Sequence, residues 1–292
     1  MAYNKKSKIK GAYTPLPQRL IFRSILFVSI ILSLIISAGC PERTKKIERL
    51  DKTIIITSDT ILSGMISSLL PEEGYSVQAI LPPGQCPGHY DIKLSDIEKI
   101  KKADLIVTFK GMPFMDKTES AQTKRLVIDT GGNNWMTPSY YEDGLIRLAH
   151  ELSKIYPGDA EKIKKQKDQE IKKVRGYADS LREEIKKAGI SGKKTIASSM
   201  QRQPLEWMGF HVVADYGRPE SLTTRDIVEL TKKGRYNRIA LVVDNLQSGP
   251  DTGKAIAESL GVPHVVLTNF PSERGYLATL RENVDAVLGA LN

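Results

Sequence analysis

The stretch from Asp159 to Ala188 constrains this chain more than any other. Its apolar residues are Ile163, Ile171, Val174, Ala178, Leu181, Ile185 and Ala188, mostly three or four apart. That spacing puts one buried stripe along an α-helix. Lys164, Lys165, Lys167, Lys172 and Lys173 fall off the stripe and read as a solvated face. A helix of about 30 residues spans roughly 45 Å, too long for the surface of one compact lobe. It suits a rod that joins two lobes, and Pro157-Gly158 before it and Gly189 and Gly192 after it punctuate its ends.

The segments on either side share one rhythm. Before the rod, Thr53–Ile56, Val77–Leu81, Leu105–Phe109 and Leu126–Ile128 read as strands. Between them lie a helical pattern from Ile61 to Leu69 and a second helix, for which Ser95 is the expected cap with Glu98 completing a capping box. Pro138 to Ile155 adds a third helix. After the rod, Thr195–Ala197, Val212–Ala214, Ile239–Val243 and Val265–Leu267 read as strands, with helices at Leu205–Met208, Thr224–Lys233, Thr252–Leu260 and Tyr276–Leu291. Strand and helix in alternation predict parallel sheets covered on both faces. The expected fold is α/β: two doubly wound lobes, each a sheet of about four parallel strands, over 52–156 and 191–292, joined by the helix at 157–190.

The loop Leu81-Pro-Pro-Gly-Gln-Cys-Pro-Gly-His-Tyr90 follows a strand and is stiffened by three prolines and two glycines. It carries a thiol, Cys86, and an imidazole, His89, three residues apart, and these two can meet on one soft or borderline metal ion. A nucleophilic enzyme built on Cys86 with His89 as base is the competing reading. Residues so close in one loop rarely reach the required geometry, and no third group orients the base. His150 and His264 lie in apolar elements and read as structural, as does His211 before a strand.

The amino terminus sets the compartment. Residues 1–39 hold six basic residues and no acidic one, then an apolar run from Ser24 to Ala38, ending in Ser37-Ala-Gly-Cys40. That is an export signal, and the stretch 40–51 reads as a polar tether. The whole chain carries a net charge of +9 from 43 basic and 34 acidic residues. Without the six of the export segment the balance is 37 against 34, so the charge gives no case for nucleic-acid binding.

These features together resemble the substrate-binding proteins of ABC transporters that import zinc or manganese, the cluster A-I type. Carrying the resemblance are the loop ending in His89, Leu94-Ser-Asp-Ile97, Ala103–Val107 with Gly111, Asn134-Trp135-Met-Thr-Pro138, Ala255–Gly261, Tyr276 and Asn283. It implies a metal held in the cleft between lobes, with His89 as one ligand. It also implies a lipidated Cys40 or an uncleaved anchor at the cell membrane, a monomer outside the cytoplasm, and a permease partner. Where the family carries further histidines and an aspartate, this chain has Asn134, Met200-Gln201 and Asn269. Cleft residues are then expected among Cys86, His89, Asn134, Met200, Gln201, Arg202, Asp244, Asn245 and Asn269. The cargo is expected to be a transition metal, zinc first with manganese or copper behind it, bare or as a complex; the alternative is a non-metal ligand or an adhesion module.

Overall fold

The computed structural model describes residues 52–116, 118 and 123–291. The export segment, Cys40 and the tether lie outside them. The amino-terminal lobe runs β1 (Thr53–Thr57), α1 (Thr60–Leu69), β2 (Tyr75–Ala79), α2 (Leu94–Lys101), β3 (Leu105–Phe109), a short α3 (Pro113–Asp116) and β4 (Lys124–Ile128). Two helices follow, α4 (Pro138–Ile155) and α5 (Ala160–Lys187). The carboxyl-terminal lobe runs β5 (Lys194–Ser198), α6 (Arg202–Trp207), β6 (His211–Tyr216), α7 (Thr224–Asn237), β7 (Leu241–Asn245), α8 (Lys254–Leu260), β8 (His264–Leu267) and α9 (Tyr276–Leu291). The sheets are four-stranded and parallel, ordered β2-β1-β3-β4 and β6-β5-β7-β8.

Burial follows position in the sheet. The inner strands β3 and β7 are buried at every residue, as parallel strands covered on both faces must be. The edge strand β4 has its charged end, Lys124, in solvent. Helix α1 starts at Asp59, whose Oδ1 accepts the N–H of Ile61 and of Leu62 at 3.0 and 3.1 Å, occupying donors that a helix start leaves free.

The long helix α5 has 28 residues and buries Ile163, Val174, Ala178, Leu181 and Ile185. Of the expected stripe, Ile171 is half-buried and Ala188 is an exposed cap. One hydrophobic cluster runs from the amino-terminal lobe through α5 into the second lobe. A separate cluster, including Ile196, Leu230, Val242 and Ile256, fills the other face of the second sheet. Ion pairs at 2.6 Å tie α5 to both neighbours: Arg175 to Glu142 on α4, and Glu184 to Arg281 on α9.

Three local expectations are corrected. Strand β2 starts two residues before Val77 and leaves the ladder at Ala79. Ile80 and Leu81 are buried and donate to Thr57 O and Ser58 O at 2.9 Å, so the apolar run signalled burial beyond the strand's end. Helix α2 is capped at Lys93 rather than Ser95: the Asp96 carboxylate accepts the Lys93 N–H at 3.1 Å and the Tyr90 hydroxyl at 2.7 Å. Strand β4 begins at Lys124, because a charged edge residue completes the ladder as well as an apolar one. Among the described residues no helix is long and apolar enough to cross a membrane.

Candidate functional site

In both sheets the order of strand addition reverses at the middle pair, between β1 and β3 and between β5 and β7, while every pair stays parallel. A doubly wound sheet opens a crevice at such a point, beyond the carboxyl ends of its strands. Here residues just past those ends, from both lobes, line one cavity of about 470 Å³. The first lobe supplies Phe109 to Met112 after β3 and Asn133 to Trp135 after β4. The second supplies Met200, Arg202 and Gln203 after β5, Arg218 after β6, Asn245 and Gln247 after β7, and Asn269 after β8. Trp135 meets Phe109 edge-on with ring centroids 4.9 Å apart, forming an apolar wall. Gly144 on α4 lets that wall form, because a Cβ there would lie 2.8 Å from the Trp135 ring and from Met65.

Amides hold the two lobes together across this cavity. Asn134 Nδ2 donates to Met200 O at 2.6 Å and to Asn269 Oδ1 at 2.9 Å. Its backbone N–H donates to Gln203 Oε1 at 2.6 Å, and its Oδ1 accepts the Met136 N–H at 2.8 Å. Gln201 is fully buried; its Nε2 bridges Asn269 Oδ1 at 2.7 Å and Asn245 Oδ1 at 2.9 Å, while its Oε1 has no partner. Behind the cavity, Thr60 Oγ1 donates to Pro271 O at 2.8 Å, and Tyr141 stacks on Tyr276 with centroids 3.7 Å apart.

The charged groups of the wall are Lys110, Arg202 and Arg218. Lys110 lies 2.9 Å from Asp129, whose carboxyl is held below its usual range by that bond and by the Gly131 N–H. Arg202 pairs with Asp215 and Glu206. Arg218 is half-buried and packs on Gly88 across the cleft.

The expected site residues separate into two groups. Asn134, Met200, Gln201, Arg202, Asn245 and Asn269 come together at the cavity or directly behind it. Cys86 is half-buried and His89 is exposed; neither lines the cavity, although Pro87 between them does. The His89 imidazole instead stands 3.8 Å from Glu220 of the other lobe. Asp244 faces away, completely buried, with its carboxylate accepting from Tyr216 Oη at 2.6 Å and Gly253 N at 2.7 Å and meeting His264 Nε2 at 2.7 Å. His264 is structural, as expected. His150 and His211, also expected to be structural, are exposed, and neither lines the cavity. Lys110 and Arg218 are wall residues that the sequence reading did not single out. Each follows a strand closely, and that position is the signal that was there to use.

The family model of ZnuA, zinc-uptake complex component A, periplasmic, matches residues 55–290. The chain belongs to this family. No curated protein matches it. Among solved structures, a manganese-bound periplasmic metal-binding protein from Candidatus Liberibacter asiaticus superposes with a TM-score of 0.70 at 17% identity, covering 82% of this chain and 100% of that one. A ZnuA crystal structure gives 0.68 at 14% identity, with 83% and 100% covered. The laminin-binding protein of Streptococcus agalactiae, described as an adhesin with metal-transporting activity, gives 0.67 at 17%, with 82% and 100% covered. As a member of the ZnuA family the chain is a periplasmic-type binding component of metal uptake rather than a member of an enzyme family.

A bare divalent ion does not fit the donors found here. Zinc takes thiolate, imidazole and carboxylate ligands, and none of these lines the cavity. Among the described residues no three His, Cys, Asp or Glu side chains gather closely enough to hold a metal ion. Where a cage would stand, this ZnuA-family chain has an amide network that bridges the two lobes.

Proposed function

We propose that this chain is the extracytoplasmic cargo-binding component of an ABC importer, tethered at the membrane through a lipidated Cys40 or an uncleaved anchor and working as a monomer. It takes cargo into the interlobe cleft and presents it to a permease. The supporting observation is that both lobes contribute walls and hydrogen bonds to one cavity at their strand ends. Family membership supports zinc as the metal concerned, and the manganese-bound neighbour supports manganese as second; copper has no such support. Because the wall lacks metal-cage donors, the metal enters as a complex whose other ligands complete its coordination. Closure involves small lobe shifts, since α5 is clamped to both lobes.

The test needs no assumed ligand. Full-length chain, co-expressed with its permease and ATPase, should co-purify with them from detergent-solubilised membranes and stimulate their ATP hydrolysis. Failure of both would overturn the importer reading.

A further inference from the structure

We propose that the interlobe cleft is an anion site, selective for a ligand bearing several carboxylate or phosphate-type oxygens, either free or wrapped around a metal ion. This rests on the importer reading and names the chemistry of its cargo.

Three independent features converge on it. The first is charge. The wall holds Lys110, Arg202 and Arg218 and no carboxylate. Neighbouring carboxylates partly offset two of them, Asp129 beside Lys110 and Asp215 and Glu206 beside Arg202. Arg218 has no ion pair and no side-chain hydrogen bond among the described residues, and it is half-buried. A guanidinium withdrawn from water without a partner is poised for a planar oxyanion, which it grips through two parallel N–H donors. Glu220, two residues along, faces His89 at 3.8 Å and is not part of the wall.

The second feature is the direction of the amides. Asn269 Oδ1 is taken by both Gln201 and Asn134. Asn134 Oδ1 is taken by the Met136 N–H, and Gln203 Oε1 by the Asn134 N–H. The acceptor ends of these amides are thus turned into the protein. What Asn269 has left to offer the cavity is its amide NH2, a donor, and a donor meets an oxyanion rather than a cation.

The third feature is size. The cavity of about 470 Å³ falls in the range of small-molecule pockets and far exceeds what one ion needs. Gly88 keeps the wall in this form: a Cβ there would lie 2.5 Å from Arg218 Nη1.

The experiment uses the purified full chain, with calorimetric titration and thermal melting, against four probes: citrate, the zinc–citrate complex, inorganic phosphate, and zinc chloride alone in a non-coordinating buffer. At least one anionic probe should bind one to one and raise the melting temperature, as any ligand of the folded state must. Binding should weaken as sodium chloride is raised. Arg218→Gln should lower affinity about 10- to 100-fold, the loss of a charge-assisted hydrogen bond. Arg218→Lys should recover part of it, and Lys232→Gln on α7, paired with Glu229 and not part of the cavity wall, should match the wild type. Circular dichroism of Arg218→Gln confirms that it folds. Tight binding of citrate or phosphate without metal identifies a free anion; binding confined to zinc–citrate identifies the wrapped ion.

Equal affinity in Arg218→Gln and wild type would mean adventitious surface binding and overturn the proposal. Stoichiometric binding of zinc chloride with no anionic probe bound would overturn it and leave the importer reading standing. If no probe binds, the anion site fails, and co-purification with the permease judges the importer reading separately.

Discussion

The two lobes have the same strand order and the same reversal point, yet they place polar groups in opposite ways. In the first lobe the end of the leading strand β1 is sealed. Asp59 lies there completely buried, its carboxylate engaged by the Ser58 hydroxyl at 2.6 Å and by two backbone N–H groups of α1. In the second lobe the equivalent strand β5 runs into Ser199–Gln201, which delivers an amide network to the cleft. The second lobe buries its carboxylate one strand over, at Asp244. So the first lobe offers the cavity an aromatic wall, Lys110 and the amides of Asn133 and Asn134, and the second offers further amides and both guanidinium groups. Shared topology fixes where a ligand sits, and the loops after the strands fix what that ligand is.

The sharpest way to break this comparison is at the buried carboxylate of the second lobe. Asp244→Ala strips Tyr216, Gly253 and His264 of a common partner, and breaking a buried network of this kind costs about 3–5 kcal/mol. Denaturant titration should show that loss, with cargo affinity of the still-folded fraction unchanged. If affinity fell while stability held, Asp244 would be a ligand and the two lobes would be alike.

Packing separates the lobes next. Leu181 on α5 belongs to the cluster that runs through both lobes, whereas Ile256 belongs to the cluster confined to the second. Each truncation to alanine should cost about 2–5 kcal/mol. Amide hydrogen exchange should then speed up in both lobes for Leu181→Ala and in the second lobe alone for Ile256→Ala. The same local response in both variants would mean that α5 does not couple the lobes.

The sealed end of β1 has a pH signature. Burial lifts the Asp59 carboxyl from 3.8 to about 6, against the lowering effect of its bonds from Ser58, Leu62 and Ile61. Between those values the folded protein keeps a proton that the unfolded chain has released. This group's contribution to stability therefore falls as pH rises through that window, and above it a standing penalty remains. At roughly 1.4 kcal/mol per unit the penalty is on the order of 3 kcal/mol. Urea titrations at pH 4, 5, 6 and 7 should show wild type losing stability relative to Asp59→Asn as pH rises. Asp129 and Asp226, held low by Lys110 and Thr223, slope the other way, but they are present in both proteins and drop out of the difference. A flat difference would show that Asp59 is not a sealed carboxylate.

The fold was legible because burial writes itself into periodicity: eight strands, the long helix and the pairing of lobes all follow from the spacing of apolar residues. The cleft was legible as far as strand ends locate it. Within it, adjacent residues part company. Asp244 and Asn245 are neighbours on β7, and strand side chains alternate faces, so the first turns to Tyr216 and the second to Gln201. Lys110 and Arg218 were hidden among 43 basic residues, most of which mean only solubility. The direction of a loop side chain was not written at all, and His89 shows this most clearly.

Asn134 makes a direct polar link between the lobes across the cavity. Asn134→Ala removes its side-chain bonds to Met200 O, Asn269 and Met136 N, with part of the cost recovered by water, since the cavity is open. The expected loss is about 1–2 kcal/mol, with a small increase in radius of gyration by X-ray scattering as the cleft relaxes. An unchanged radius would place the closing force in the Tyr141–Tyr276 stack and α5 instead.

His89→Ala should have the smallest effect. Its imidazole is 65% exposed and lies 3.8 Å from an equally exposed Glu220, a pair that contributes about 0–1 kcal/mol at most. Melting temperature should therefore barely move. Cargo affinity should change less than about threefold, because a side chain outside the wall exchanges no buried hydrogen bond on binding. Cys86→Ala should behave alike. A large loss of zinc binding in either variant would mean that the loop swings its thiol and imidazole into the cleft when metal arrives. The first lobe would then supply ligands after all, and the contrast between a shaping lobe and a binding lobe would fail at the residues where the sequence suggested a cage.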